Sequence, residues 1–136
     1  MDIIPIYMKE EIKYGVPSLE TCMKLDWAKD TTFLWFTVQD AVYGLTPDKH
    51  YLCIRRPQLS KLIVVKYDLM LSYSDSQVPA PQMHEIAAEL PKVDVYIANG
   101  VAILYNTDGT QKLKINVSNN NYAEAYARIY IHLKNK

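Results

Sequence analysis

The residue types that could do chemistry are few and scattered: His84 beside Glu85, the cysteines Cys22 and Cys53, and the remaining histidines His50 and His132. His84-Glu85 begins like the zinc-protease helix pattern. That pattern needs a second histidine four residues after the first, so that two imidazoles share one helix face. Position 88 is Ala88, so His84 is expected at the surface and no metal site is expected. A Cys–His nucleophile requires the two side chains in contact, and no spacing here joins either cysteine to His50 or His132. Cys53 stands two residues after Tyr51 on one strand face and reads as a core thiol, since free cysteine is mostly buried. Gly15, Gly44, Gly100 and Gly109 are too dispersed to form a phosphate loop. No serine stands in a nucleophile elbow. No catalytic residue and no cofactor are expected.

One local asymmetry remains. Between Lys49 and Lys66 lie five basic residues, Lys49, Arg55, Arg56, Lys61 and Lys66, and no acid; Tyr51 lies within the stretch and Tyr67 follows it. Arginine forks and stackable rings suit a phosphate-bearing base or a nucleic-acid strand. The same lysines would also protect a solvated sheet edge from pairing. Tyr51, Arg55, Arg56, Lys61 and Lys66 are therefore the candidate ligand-binding residues, for a small anionic ligand such as a nucleotide.

The bulk numbers restrict the partners. The 136 residues suit one domain spanning 1–136, long enough to bury roughly two-thirds of the unfolded surface. Apolar residues make up 49% and charged residues 22%, as in ordinary globular proteins. Fifteen basic and fifteen acidic residues cancel. Zero net charge gives no long-range steering, which disfavours nucleic acid and acidic membranes and leaves self-association open. Eleven tyrosines against two phenylalanines suit half-buried sheet surfaces and contact faces. The N-terminus, MDIIPIYMKEE, lacks the basic segment of a signal peptide. No apolar run approaches the roughly 18 residues of a membrane span. A cytoplasmic protein with two free thiols is the expectation.

The elements that would hold these residues follow from periodicity. Residues 1–14 suggest a weak strand or arm. Ser18 can cap a helix reaching about Lys29, with Leu19, Cys22, Met23 and Trp27 near one face. Thr31 to Val38 alternates with apolar residues on both faces, which predicts an interior strand. Val42–Leu45 and His50–Arg55 read as a hairpin around Thr46-Pro47-Asp48-Lys49, a type I turn. Lys61 to Ser72 favours strand, with a break or bulge at Tyr67-Asp68, and Ser74 to Ala80 reads as a linker-like loop. Pro81 opens a short helix with Met83, Ile86, Ala87 and Leu90 on one stripe, and Pro91 stops it. Asn99-Gly100 predicts a type I′ hairpin, and Asp108-Gly109 a second turn before Lys112 to Ser118. Asn121 with Glu124 reads as a capping box opening a helix whose stripe is Tyr122, Tyr126, Ile129 and Leu133.

Two stretches, Ala80-Pro81-Gln82-Met83-His84-Glu85-Ile86-Ala87-Ala88-Glu89-Leu90-Pro91 and Asn121 to Lys134, resemble a loose group of small uncharacterised proteins of phages and prophages of gut Bacteroidetes. Those show Ala-Pro, a short helix ending Leu-Pro, a hairpin and a closing helix. Ser18 to Leu25 also fits. Tyr122 stands where that group often has proline, and residues 46–78 have no counterpart. The resemblance implies a phage-derived protein in a host cytoplasm; no catalytic residue carries over from it.

The resulting expectation is an α+β domain: a mostly antiparallel sheet of about five to seven strands with three helices. The expected function is a non-enzymatic binding or interaction protein, with a protein partner or self-association. The alternatives are a nucleotide-sequestering protein and a nucleic-acid-binding accessory protein; a small enzyme using Cys53 or His50 would need one of them in a cleft with a partner.

Overall fold

Phe33-Leu34-Trp35-Phe36 carries no polar side chain on either face, so it needs cover on both. The computed structural model, which describes residues 11, 14–39, 44–72, 77–117 and 120–135, supplies that cover. Strand β1 (Phe33–Thr37) lies inside a five-stranded antiparallel sheet. Strands β2 (His50–Arg56), β3 (Lys61–Val64), β4 (Leu69–Ser72) and β5 (Gln77–Ala80) complete it in the order β4-β3-β2-β1-β5. Leu34 and Val38 pack with Tyr51, Cys53, Leu62 and Val64 on one face. Phe33 and Trp35 pack with Val16, Cys22, Leu52 and Ala80 on the other.

A second antiparallel sheet, three-stranded, consists of β6 (Asp94–Ala98), β7 (Val101–Tyr105) and β8 (Gln111–Asn116). Asn99 and Gly100 take φ of 51° and 77°, the paired positive values of the expected type I′ turn. A Cβ at Gly100 would sit 3.3 Å from the Val117 carbonyl oxygen, a second reason for glycine there. Leu113, Ile115 and Val117 face inward as their alternation requires.

Among the described residues three α-helices complete the α+β fold: α1 (Leu19–Leu25), α2 (Met83–Ala87) and α3 (Tyr122–Lys134). Helix α3 joins the parts. Its Ala125 and Ile129 pack on Ala102, Leu104 and Ile115 of the small sheet. Its Ala127 packs with Leu25, Trp27 and Ile86, and so against the ends of α1 and α2.

Glu124 fixes how α3 meets α1. The residue is only 7% exposed. One carboxylate oxygen accepts from the Ser18 backbone N–H at 3.0 Å and from Ser18 Oγ at 3.1 Å. The other accepts from Thr21 Oγ1 at 2.5 Å and from Arg128 Nε at 2.7 Å. An acid is favourable at the N-terminus of a helix, where backbone N–H groups lack partners. Burial alone would raise the Glu124 pKa; the Thr21 hydroxyl, the Ser18 amide and Arg128 outweigh burial and hold it below its ordinary value.

Several expectations need correction. The strands form two sheets, of five and three strands, with α2 between β5 and β6 in the chain. Helix α1 stops at Leu25, where Asp26 takes a left-handed φ of 49°; Trp27 is buried beyond the helix and Met23 is 65% exposed. Of the expected loop Ser74–Ala80, Gln77–Ala80 is a strand paired to the edge of β1, a place that tolerates Pro79; Ser74, Asp75 and Ser76 lie outside the described residues. Asp48 has φ 63°, which a type I turn does not allow at its third position and type II requires. The partner of β2 is β1, Thr37 facing His50; the expected strand over Val42 and Tyr43 lies outside the described residues, as does the arm at 1–10. The expected break at Tyr67-Asp68 is present as a turn, with Asp68 at φ 50°, and the strands on either side pair as a hairpin. Met83 and Ala87 are exposed while Ile86 is buried. Asn121 does cap α3, accepting from the Glu124 N–H at 3.3 Å. The Glu124 side chain completes no box, since α1 holds it instead.

Glu124→Ala is expected to cost about 3 kcal/mol, because it strands the donors of Ser18 and Thr21 and the Arg128 charge. The depressed Glu124 pKa contributes stability that is fully present above the unfolded carboxyl value near ~4.3 and is lost as pH falls through the folded value. Urea denaturation at pH 3 and pH 6 should show a smaller stability difference in Glu124→Gln than in the wild type.

Candidate functional site

The antiparallel pairing of β2 with β3 splits the basic stretch into two groups. Arg56 faces Lys61, and Cys53 faces Val64. Arg55, Arg56 and Lys61 therefore lie at one end of the pair, with Lys49, Tyr51 and Lys66 at the other. β2 is seven residues long, so the ends are about 20 Å apart at ~3.3 Å per residue.

The first group does not converge. Arg55 and Arg56 are successive strand residues and point to opposite faces. Arg55 Nε donates to the Thr31 carbonyl at 3.2 Å, and its guanidinium lies 4.0 Å from the Asp30 carboxylate. Lys61 Nζ donates to Ser72 Oγ at 2.9 Å across the sheet. Arg56 is exposed.

The second group does converge. The Tyr51 ring is buried and meets the half-exposed Tyr67 ring edge to face, with centroids 5.8 Å apart. Lys49 Nζ lies 5.7 Å from the Tyr51 centroid and Lys66 Nζ 5.6 Å from that of Tyr67, both within cation–π range. The Tyr51 hydroxyl accepts from the Thr46 N–H at 2.9 Å. That amide lowers the Tyr51 pKa; burial opposes it, and the Lys49 and Lys66 ammonium groups add to the lowering. Among the described residues, neither Lys49 nor Lys66 is in an ion pair.

A separate half-open groove of about 310 Å³ runs along α1 and α3, lined by Ser18, Glu20, Thr21, Lys24, Arg128 and Ile131. Its polar floor is already engaged: Ser18, Thr21 and Arg128 all bind Glu124. Lys24 lies 3.5 Å from Glu20.

Neither cysteine is in a disulfide and both are buried, Cys22 at 1% and Cys53 at 0% exposure. Burial pushes the Cys22 thiol up to about 12, the Glu124 charge pushes the same way and the Trp35 indole N–H works against them. Such a thiol is no nucleophile near neutral pH. His50 lies edge-on to Trp35 with centroids 5.0 Å apart, and strand alternation puts it on the face opposite Cys53. His84 is exposed. Among the described residues no three His, Cys, Asp or Glu side chains gather as metal ligands, and no helix is long and apolar enough to cross a membrane.

The outer face of the small sheet is a feature that sequence reasoning missed. Ala102 and Leu104 of β7 point inward to α3. Val101, Ile103 and Tyr105 therefore point outward, each part-exposed. Ile103 sits between Tyr96 of β6 and Lys114 of β8, and Tyr105 faces Asp94. Tyr96 is 57% exposed. A sheet with a helix on one side normally carries polar residues on the other. The five apolar or aromatic residues of VAILY, with no polar position, were the available signal.

No family model, curated protein or solved structure matches this chain.

Cys22 and Cys53 should both resist a thiol reagent in the native protein at pH 8, and both should react once the chain is unfolded in guanidinium. Labelling of either within seconds in the native state would show that it is not a core thiol.

Proposed function

We propose that this chain is a non-enzymatic binding protein that meets a protein partner through the outer face of β6, β7 and β8. One observation carries this: the central strand of that sheet turns Val101, Ile103 and Tyr105 away from the core, with the exposed Tyr96 beside them. A contact face combines apolar centre residues, tyrosine and a charged rim; Asp94 and Lys114 supply the rim. Three groups that could act as nucleophile or base are engaged: the two thiols in the core and the Glu124 carboxylate on four donors. A phage or prophage origin, with a host cytoplasm as workplace, rests on the sequence resemblance of residues 80–91 and 121–134.

Hydroxyl-radical footprinting of Tyr96, Ile103 and Tyr105 tests the contact face. The side chains are expected to be labelled in dilute purified protein and protected in a concentrated extract of the cells that produce it. Equal labelling in both would remove the contact face. An Ile103→Glu substitution should abolish the protection and change stability by less than about 1 kcal/mol, because the side chain lies outside the core.

A second reading is favoured by the Lys49–Tyr51–Tyr67–Lys66 cluster: an anionic, ring-bearing ligand such as a nucleotide, stacked on Tyr67 with its phosphate between the ammonium groups. Here the Tyr51, Lys66 part of the expected set is kept and Arg55, Arg56 and Lys61 are left out. Nucleotides at millimolar concentration should raise Tm in the wild type and not in Tyr67→Ala. No rise in the wild type would end this reading.

A further inference from the structure

We infer that the partner on the outer face of the small sheet is a second copy of this chain, in a two-fold dimer whose axis runs parallel to the strands. The inference rests on the contact face proposed above and names its occupant. Cross-strand register sets the outer face in three rows. Asp94, Tyr105 and Gln111 form one, Tyr96, Ile103 and Lys114 the next, and Ala98, Val101 and Asn116 the last. The face is asymmetric: an acid and a tyrosine border the apolar strand on the β6 side, and an exposed lysine borders it on the β8 side.

That asymmetry chooses the axis. Two sheets stacked face to face about an axis parallel to the strands place β6 of one copy over β8 of the other. Tyr96 then lies over Lys114 of the second copy, an ammonium-on-ring contact made twice. Ile103 meets Ile103 across the axis. An axis perpendicular to the strands would instead set Lys114 against Lys114 and Tyr96 against Tyr96, which like charge opposes. Among the described residues neither Asp94 nor Lys114 is in an ion pair. Zero formal net charge leaves no long-range repulsion between copies.

The size of the face sets the strength. Three strands of five, five and six residues, at ~3.3 Å per residue and ~4.8 Å between strands, cover about 250 Å². A stable dimer buries about 800 Å² per partner. An association through so small a face belongs to the weak, transient class.

Sedimentation equilibrium and amide chemical shifts across roughly 20 µM to 1 mM test this. The weight-average mass is expected to rise toward twice the monomer, with shifts concentrated at residues 94–98, 101–105 and 111–116. Lys114→Glu should weaken association at least about tenfold, the equivalent of losing two ~0.7 kcal/mol contacts. The double substitution Tyr96→Lys with Lys114→Glu should restore it, since each new pair then forms between copies. Restoration fails if the axis is perpendicular, which would overturn the proposed geometry. A monomer throughout the range overturns self-association. In that event, protection of Tyr96 in the cell-extract footprint would leave the contact face standing with a different partner, and absence of protection would remove both.

Discussion

The buried carboxylate of Glu124 is the constraint on which the rest of the packing depends. It reaches from the first turn of α3 to a helix start 106 residues earlier in the chain and accepts there from the Ser18 N–H, which has no partner within α1, and from the Ser18 and Thr21 hydroxyls. A carboxylate in that position must stay charged, and four hydrogen bonds, one from Arg128, keep it so. The consequence is positional. Helix α1 is held where Cys22 enters the cluster of Phe33, Trp35 and Leu52, so one face of the large sheet is closed by a helix that α3 anchors. Asn121 supports the same junction, its Nδ2 donating to the Val16 carbonyl at 3.3 Å.

Helix α3 can serve two clusters because of its small residues. Ala125 and Ala127 are two positions apart, about 200° around the helix, so they face nearly opposite sides. Ala125, with Ile129 four residues later, meets the small sheet. Ala127 meets Leu25 and Ile86, with Tyr126 and Tyr130 beside it. Both are completely buried. A larger side chain at either would force neighbours from their rotamers, a strain of about 1–3 kcal/mol in a packed interior. A single apolar stripe, as the spacing of Tyr122, Tyr126, Ile129 and Leu133 suggested, describes only part of this helix.

What was legible in the sequence was local. Period-two alternation in the stretches that form β1 and β8, the Asn99-Gly100 turn and the Asn121 cap all depend on residues close in the chain, and the structure has them. What was hidden was long-range. Nothing near Glu124 says that its carboxylate belongs to Ser18 and Thr21; the capping-box spacing pointed to a local use of the same side chain. Gln77-Val78-Pro79-Ala80 has loop composition, and only the open edge of β1 makes it a strand. The basic stretch read as one group along the chain. An antiparallel turn at Pro57–Leu59 folds it so that its two ends meet, Lys49 and Tyr51 beside Lys66 and Tyr67, while Arg55, Arg56 and Lys61 lie a strand length away at the turn, where Arg55 and Arg56 diverge.

The two surfaces that could hold a partner differ in what it costs to order them. Lys49 and Lys66 are exposed, and fixing a lysine side chain costs up to about 2 kcal/mol of rotamer entropy. An exposed cation–π contact returns about 0.5–1 kcal/mol, so an anion there has to provide most of its own binding energy through charge. The outer face of the small sheet needs little ordering. β7 is the middle strand, bonded on both sides, and its inward residues Ala102 and Leu104 are pinned against α3. Val101 and Ile103 are β-branched and stiff, and Tyr105 and Tyr96 have two torsions each. Such a face binds with little reorganisation, and that outweighs its small area in deciding which surface a partner meets.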